Sequence, residues 1–200
     1  MFTGLIEEKG KIISSKITPT GKQIIIAASS QFIEKIKIGD SIAINGVCQT
    51  AIKIEGNNFY TDIMQESLKK TTLNNLLPKQ NVNMELAITL NTRLGGHIVQ
   101  GHIDAIGQII QIVNAYSYKE FYISYQLEYK KYLVPTGAIT VDGVSLTTAE
   151  IFDRNFKVAL IPHTLNNTLF LEYKVGDKVN LEFDIIGKYI EQMLKPNKKN

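Results

Sequence analysis

From about residue 4 to residue 85, the sequence recurs at a constant offset of 97 with no gap. Gly4 falls on Gly101, Gly10 on Gly107, and Ile44-Asn45-Gly46-Val47-Cys48-Gln49-Thr50 on Val141-Asp142-Gly143-Val144-Ser145-Leu146-Thr147. The frame still holds where Asn58-Phe59 meets Asn155-Phe156, Leu68 meets Leu165, Thr71 meets Thr168, and Val82-Asn83-Met84-Glu85 meets Val179-Asn180-Leu181-Glu182. A frame kept that long is duplication. Two copies are too few for a solenoid, which needs at least about three repeats to cover its core. The chain should therefore fold as two like modules with two related pockets: residues 1–97, residues 98–184, and a remainder of 185–200.

Composition removes several classes of function. With 44% hydrophobic and 20% charged residues the chain is ordinary globular material. It has no apolar run of 18 or more residues to span a membrane as a helix. A net charge of +3 is too small to argue for nucleic acid, and much of the excess sits in Lys195-Pro196-Asn197-Lys198-Lys199-Asn200. Cys48 is the single cysteine, and one cysteine with three scattered histidines makes no metal-ligand spacing. No metal and no cofactor are expected. The start, Met1-Phe2-Thr3-Gly4 followed by Glu7 and Glu8, lacks the basic and apolar regions of a secretory signal, so a cytoplasmic location is expected.

Short β-rich segments separated by turn residues predict an all-β chain. In the first copy these are Ile12-Ile13, Gln23 to Ala27, Ser41 to Ile54 broken at Asn45-Gly46, Phe59 to Ile63 and Val82 to Leu86, with a brief helix near Gln31–Ile36. The second copy repeats them, with a short helical Leu127 to Leu133. Closing a sheet removes its exposed edges, so the expected architecture is two tandem six-stranded antiparallel Greek-key β-barrels. Ile185, Ile186, Tyr189, Ile190, Met193 and Leu194 form one stripe of a C-terminal amphipathic α-helix. That stripe has two possible partners, its own barrels or another subunit.

Met1-Phe2-Thr3-Gly4-Leu5-Ile6-Glu7-Glu8, Gly39-Asp40-Ser41, Asn45 to Thr50, Gly95-Gly96-His97, Gly101-His102-Ile103-Asp104, Asp142 to Thr147 and Ile161-Pro162-His163-Thr164-Leu165 together resemble riboflavin synthase along nearly the whole chain. The resemblance implies that each barrel binds one 6,7-dimethyl-8-ribityllumazine. A four-carbon unit then passes between the two, giving riboflavin and 5-amino-6-ribitylamino-2,4-pyrimidinedione. It further implies a homotrimer whose site joins the first barrel of one subunit to the second barrel of the next, and association with lumazine synthase. The alternative is a non-catalytic lumazine- or flavin-binding antenna or carrier of the same fold.

Transferred residue by residue, the resemblance places the chemistry on Cys48, His102, Ser41, Ser145, Thr147 and Asp184. Substrate contacts are expected from Phe2, Thr3, Gly4, Leu5, Ile6, Cys48, Gln49, Thr50, Asp62, Ile63, Met64, Gln65, Glu66, Ser67, Gly101, His102 and Ile103. In the second copy they are expected from Thr136, Ser145, Leu146, Thr147, Ile161, Pro162, His163, Thr164, Leu165 and Asn166. Histidine is the side chain whose ordinary pKa suits general acid–base work. His102 opens the second copy, opposite Leu5 in the first, whereas Cys48 belongs to the first. The Cys48 thiol suits either a hydrogen-bond donor or a transient nucleophile. Phe2 and Thr3 match a flexible N-terminal arm. Thr136 stands where the family commonly has lysine, leaving Lys130 or Lys131 to supply a cation; Gln49 and Leu169 also depart from the family pattern.

Overall fold

The computed structural model describes residues 1–195; the basic tail beyond Lys195 lies outside the described residues. The first copy comprises β1 (Glu8–Thr18), β2 (Gly21–Ala27), β3 (Ser41–Ile44), β4 (Val47–Thr50), β5 (Lys53–Glu55), β6 (Asn58–Met64) and β7 (Asn81–Leu86). The second comprises β8 (Ala105–Asn114), β9 (Lys119–Ser124), β10 (Ala138–Val141), β11 (Val144–Ile151), β12 (Asn155–Leu160) and β13 (Lys178–Phe183). The latter six close a barrel in the order β10-β11-β12-β9-β8-β13. Connections β9–β10 and β12–β13 join strands that are not neighbours, as in a Greek key.

The first copy has the same order but seven strands, β4-β3-β7-β1-β2-β6-β5. Its two end strands are pieces of the segment that is continuous in β11. Where β11 shifts register between Thr148 and Glu150, the equivalent chain breaks at Ala51-Ile52. Ala51 is fully buried and its N–H donates to Asp40 O (2.9 Å), while Ile52 N–H donates to Tyr60 O (2.9 Å). The expected six-stranded first barrel is thus corrected to a ring interrupted at one residue pair. Helix α1 (Ser30–Ile33) matches the expected brief helix. The sequence reading assigned no element to α2 (Gln65–Lys70) and α3 (Pro162–Asn167), which lie in the equivalent crossings before β7 and β13. Only about a turn and a half long, they are too short for a periodicity signal.

Asn45 and Gly46 have φ of 45° and 78°, and Asp142 and Gly143 have 44° and 82°. Two consecutive left-handed residues make the two-residue hairpin turn that Asn, Asp and Gly adopt most cheaply. The turns set Ala43 opposite Cys48 and Thr140 opposite Ser145. Alternation then sends Gln49 and Leu146 into the barrels and leaves Cys48, Thr50, Ser145 and Thr147 on the outer face.

The two turns also meet each other. A Cβ on Gly46 would lie 2.6 Å from Gly143 N, so both copies need glycine at this contact. Around it runs a buried polar seam obeying the same offset. Asn83 Nδ2 donates to Asp142 O (3.0 Å) and Asn180 Nδ2 to Asn45 O (2.9 Å). Leu169 N donates to Asn83 Oδ1 (2.9 Å) and Thr72 N to Asn180 Oδ1 (2.7 Å). Leaving one such buried group unpaired costs about 1–3 kcal/mol, so the seam fixes one relative placement of the barrels.

The seam departs from symmetry at Asp142, which replaces Asn45. Its carboxylate accepts from Asn180 N (2.8 Å) and from the Tyr173 hydroxyl. Complete burial pushes its pKa up to about 7 against those bonds. A raised carboxyl pKa contributes stability that is complete below the unfolded value, near 3.8, and is lost as pH rises through about 7. The thermal midpoint should therefore fall between pH 5 and pH 8. Asp142→Asn, which installs the neutral residue of the first copy, should make that fall smaller.

Helix α4 (Ile185–Leu194) docks by its polar side, through Lys188 to Asp104 (2.5 Å) and Glu191 to Lys131 (2.7 Å). Ile186, Tyr189, Ile190, Met193 and Leu194 are all more than half exposed. All of the apolar stripe except the partly buried Ile185 is therefore left largely uncovered by the chain's own barrels.

Candidate active site

Each barrel is completed by a segment numbered with the other copy. Glu85, on β7, accepts from Thr3 N (2.6 Å), Thr3 Oγ1 (2.7 Å) and Gly4 N (3.0 Å). Its repeat partner Glu182 accepts from Gln100 N (2.6 Å), Gly101 N (2.9 Å) and His102 N (3.1 Å). Burial raises the pKa of both carboxyls, Glu182 to about 7, while the backbone donors pull downward. Anchored this way, the segments cross over: Ser145 N donates to Gly4 O (2.7 Å), and Cys48 N donates to Gly101 O (2.9 Å).

The crossing corrects the placement of His102. Although it opens the second copy in sequence, it lies beside Cys48 of the first barrel. A cavity of about 300 Å³ is lined by Val47, Cys48, Glu66, Ser67, Lys70, Thr71, Gly101, His102 and Ile103. Shifting these positions by 97 gives Val144, Ser145, His163, Thr164, Asn167, Thr168, Gly4, Leu5 and Ile6; of the three leading residues, Gly4 meets Ser145 and Ile6 packs on the core of the second barrel, whereas Leu5 lines a different cavity. The repeat thus sorts the expected contacts into two sets. Lys70 and Thr71 were missed by motif reading, yet Lys70 ends α2, which carries Glu66 and Ser67, and Thr71 caps it, and Lys70 pairs with Glu66 (2.7 Å).

Other expected residues are placed elsewhere. Gln49, Ile63, Leu146 and Leu165 are buried side chains of the barrel interiors or of α3, so they support the pockets from behind. Asp62, Met64 and Gln65 near the first pocket, and Ile161, Pro162 and Asn166 near the second, are exposed. Ser41 lies across from Thr50 but opens on a different cavity, of about 590 Å³, with Thr3, Leu5, Glu85 and Arg93. Asp184 caps α4, accepting from Ile186 N (3.0 Å).

Phe2 is no flexible cover. It is fully buried, its N–H donates to Val99 O (2.7 Å), and it packs with Ala43 and Val99 beneath Cys48. Thr136 is exposed at φ 61°, and the neighbouring lysines are engaged, Lys130 with Asp153 (2.6 Å) and Lys131 with Glu191 (2.7 Å). Among the described residues no group of three or more His, Cys, Asp or Glu side chains could hold a metal ion, and no helix is long and apolar enough to cross a membrane.

His97 is partly buried against the second barrel. Its Nδ1 lies 2.7 Å from Ser145 Oγ and its Nε2 lies 3.1 Å from Thr140 Oγ1. Burial lowers its pKa, and the charge of Asp184 opposes that shift.

The family model for the lumazine binding domain matches this chain twice, over residues 3–87 and 100–184. Riboflavin synthase of Actinobacillus pleuropneumoniae is 43% identical over 195 residues, 97% of this chain and 90% of that protein. Riboflavin synthase of Bacillus subtilis strain 168 is 40% identical over 200 residues, 100% of this chain and 93% of that protein. The chain belongs to the riboflavin synthase family. Its fold is also that of LumP in complex with riboflavin, with a TM-score of 0.86 at 22% identity over 92% of this chain and 99% of that one. Family membership and geometry meet at the two glycines that carry the crossed segments. Gly4 and Gly101 have φ of 78° and 80°, and a Cβ on each would lie 2.5 Å from Ser145 Cβ and 2.6 Å from Cys48 Cβ, respectively.

In a riboflavin synthase family member so built, Gly101→Ala should displace Cys48 and Gly4→Ala should displace Ser145. Fluorescence titration with riboflavin should then show one weakened site in each variant, while far-UV circular dichroism stays unchanged. Loss of both sites in either variant would show that the pockets are not separable.

Proposed function

We propose that this chain catalyses the dismutation of two 6,7-dimethyl-8-ribityllumazine molecules to riboflavin and 5-amino-6-ribitylamino-2,4-pyrimidinedione, one molecule bound by each barrel. The observation that carries the reading is the reciprocal exchange of Gly4–Ile6 and Gly101–Ile103. It sets a crossed segment against the outer face of each barrel in the same way, which suits a reaction whose two substrates are identical. The lumazine 7-methyl group is acidic because its carbanion delocalises into the ring, so most of the task is to hold two rings in reacting geometry. Such orientation contributes roughly 7–11 kcal/mol. His102 beside Cys48 supplies a proton-transfer group at the first ring, and Ser145 and Thr147 offer hydroxyls at the second.

The two pockets of one chain sit on separate barrels, so the reading includes a homotrimer in which the first barrel of one subunit faces the second barrel of the next. Head-to-tail contacts of this kind close into a ring when the rotation fits. The exposed stripe Ile186, Tyr189, Ile190, Met193 and Leu194 supports the assembly, because an apolar face of that size is costly in water. A cytoplasmic setting suits the free Cys48 thiol. Association with lumazine synthase rests on the family resemblance alone. The antenna or carrier alternative differs in one measurable respect, the absence of turnover.

Purified protein given the lumazine alone should convert about half of it to riboflavin, the ratio fixed by two substrates giving one flavin. His102→Gln should slow turnover by roughly 10²–10⁴, the range for loss of an acid or base. Binding without turnover in the unaltered chain would favour the carrier. For the shared site, His102→Gln and Ser145→Tyr, each inactive in a different pocket, are unfolded and refolded together. Random assortment should restore roughly a quarter of the sites, and a mixture no more active than its parents would overturn the trimer site. Cys48 and His102 variants should not complement, because those residues share one pocket.

A further inference from the structure

The two outer faces are chemically unequal where the repeat pairs Ala43 and Cys48 with Thr140 and Ser145. In the first copy the space beside Ala43 and Cys48 is taken by the buried ring of Phe2. In the second it is taken by His97, between Thr140 Oγ1 and Ser145 Oγ. His97 reaches that position because Gly96 precedes it. A Cβ on Gly96 would lie 2.1 Å from Thr3 O and 2.9 Å from Ser145 Oγ, so only glycine lets the backbone pass.

Hydrogen-bond satisfaction fixes the direction of this chain of groups. Thr140 is 1% exposed, and its hydroxyl pairs with His97 Nε2. If Nε2 carried the imidazole proton, it would donate to Thr140 and leave the threonine hydrogen buried without an acceptor, at a cost of about 1–3 kcal/mol. The favoured arrangement has Thr140 O–H donating to a bare Nε2 and Nδ1–H donating to Ser145 Oγ. Ser145, which is only partly buried, then has its own hydrogen free to point outward. Successive hydrogen bonds in one direction polarise one another and strengthen the last donor.

We propose that His97 is a positioning residue that, tied to Thr140, makes Ser145 a hydrogen-bond donor toward the ligand of the second pocket, where it stabilises negative charge developing on the lumazine ring. The proposal rests on the lumazine reading of that pocket. The first pocket lacks this relay, having alanine, a thiol and a phenyl ring at the equivalent places. The step itself is a proton removal: the 7-methyl C–H bond breaks, the proton passes to a solvent water molecule, the electron pair enters the ring, and the Ser145 hydrogen bond meets the charge that results.

Two measurements on the full-length protein test it. Long-range ¹H–¹⁵N NMR of the ligand-free protein near neutral pH should give His97 as a neutral ring protonated on Nδ1; an Nε2–H tautomer or an imidazolium would overturn the proposal whatever the protein catalyses. The second is solvent deuterium exchange into the 7-methyl group of bound lumazine, read alongside kcat and KM. Asparagine can place an amide N–H where Nδ1 stood, whereas glutamine reaches only as far as Nε2. His97→Asn should therefore keep exchange and kcat within about threefold, and His97→Gln should lower both by roughly tenfold or more with a smaller change in KM. Equal loss in the two variants, or a change confined to KM, would overturn the positioning role. If the unaltered protein neither exchanges nor turns over lumazine while the Nδ1–H tautomer is present, the functional reading fails and the local geometry stands.

Discussion

Two buried carboxylates organise the working parts of this molecule. Glu85 and Glu182 each gather three hydrogen bonds from the segment that leads into one copy and hold it where it can reach the hairpin of the other. Without those anchors, Gly4 and Gly101 have no reason to adopt left-handed backbone against Ser145 and Cys48. Neither pocket is then closed. A carboxylate suits this task because it accepts several N–H groups at once and charge-assisted bonds are stronger than neutral ones. The cost is burial, seen in the raised pKa of both groups.

The seam between the barrels performs a different function. The Asn83 and Asn180 amides bond across it in equivalent ways, and the Gly46–Gly143 contact leaves no space for a side chain. Neutral amides settle the mutual placement of the barrels without adding charge to the interior. Asp142 is the exception, a titratable group in a position the first copy fills with asparagine. The seam therefore carries a pH dependence that a symmetric duplication would lack.

Duplication followed by divergence is also visible at the pockets. Position 5 of the first copy is leucine and its equivalent at 102 is histidine; positions 43 and 48 are alanine and cysteine, against threonine and serine at 140 and 145. Because the leading segments are exchanged, the histidine of the second copy serves the first barrel, whereas Leu5 of the first copy lines the larger cavity beside Ser41 and Glu85. A reaction between two identical molecules needs them to behave differently, and unequal side chains in otherwise equal pockets are a direct way to achieve it.

By itself the sequence determined the duplication, the β architecture, the glycine turns at Asn45-Gly46 and Asp142-Gly143, and the family. Repeat offset, two-residue periodicity and positive-φ residues are local signals, and each survives in a one-dimensional string. The family resemblance also singled out Cys48, His102 and Ser145, whose part in binding and turnover belongs to the proposed function. Only the tertiary structure decided which barrel each of them serves, because the exchange of Gly4–Ile6 and Gly101–Ile103 is made by long-range bonds to Glu85 and Glu182. It likewise decided that Phe2 is buried, that Gln49, Ile63, Leu146 and Leu165 face inward, and that β4 and β5 are separate strands. The role of His97 was hidden for the same reason: Thr140 and Ser145, which meet its two nitrogens, stand 43 and 48 residues away in the chain.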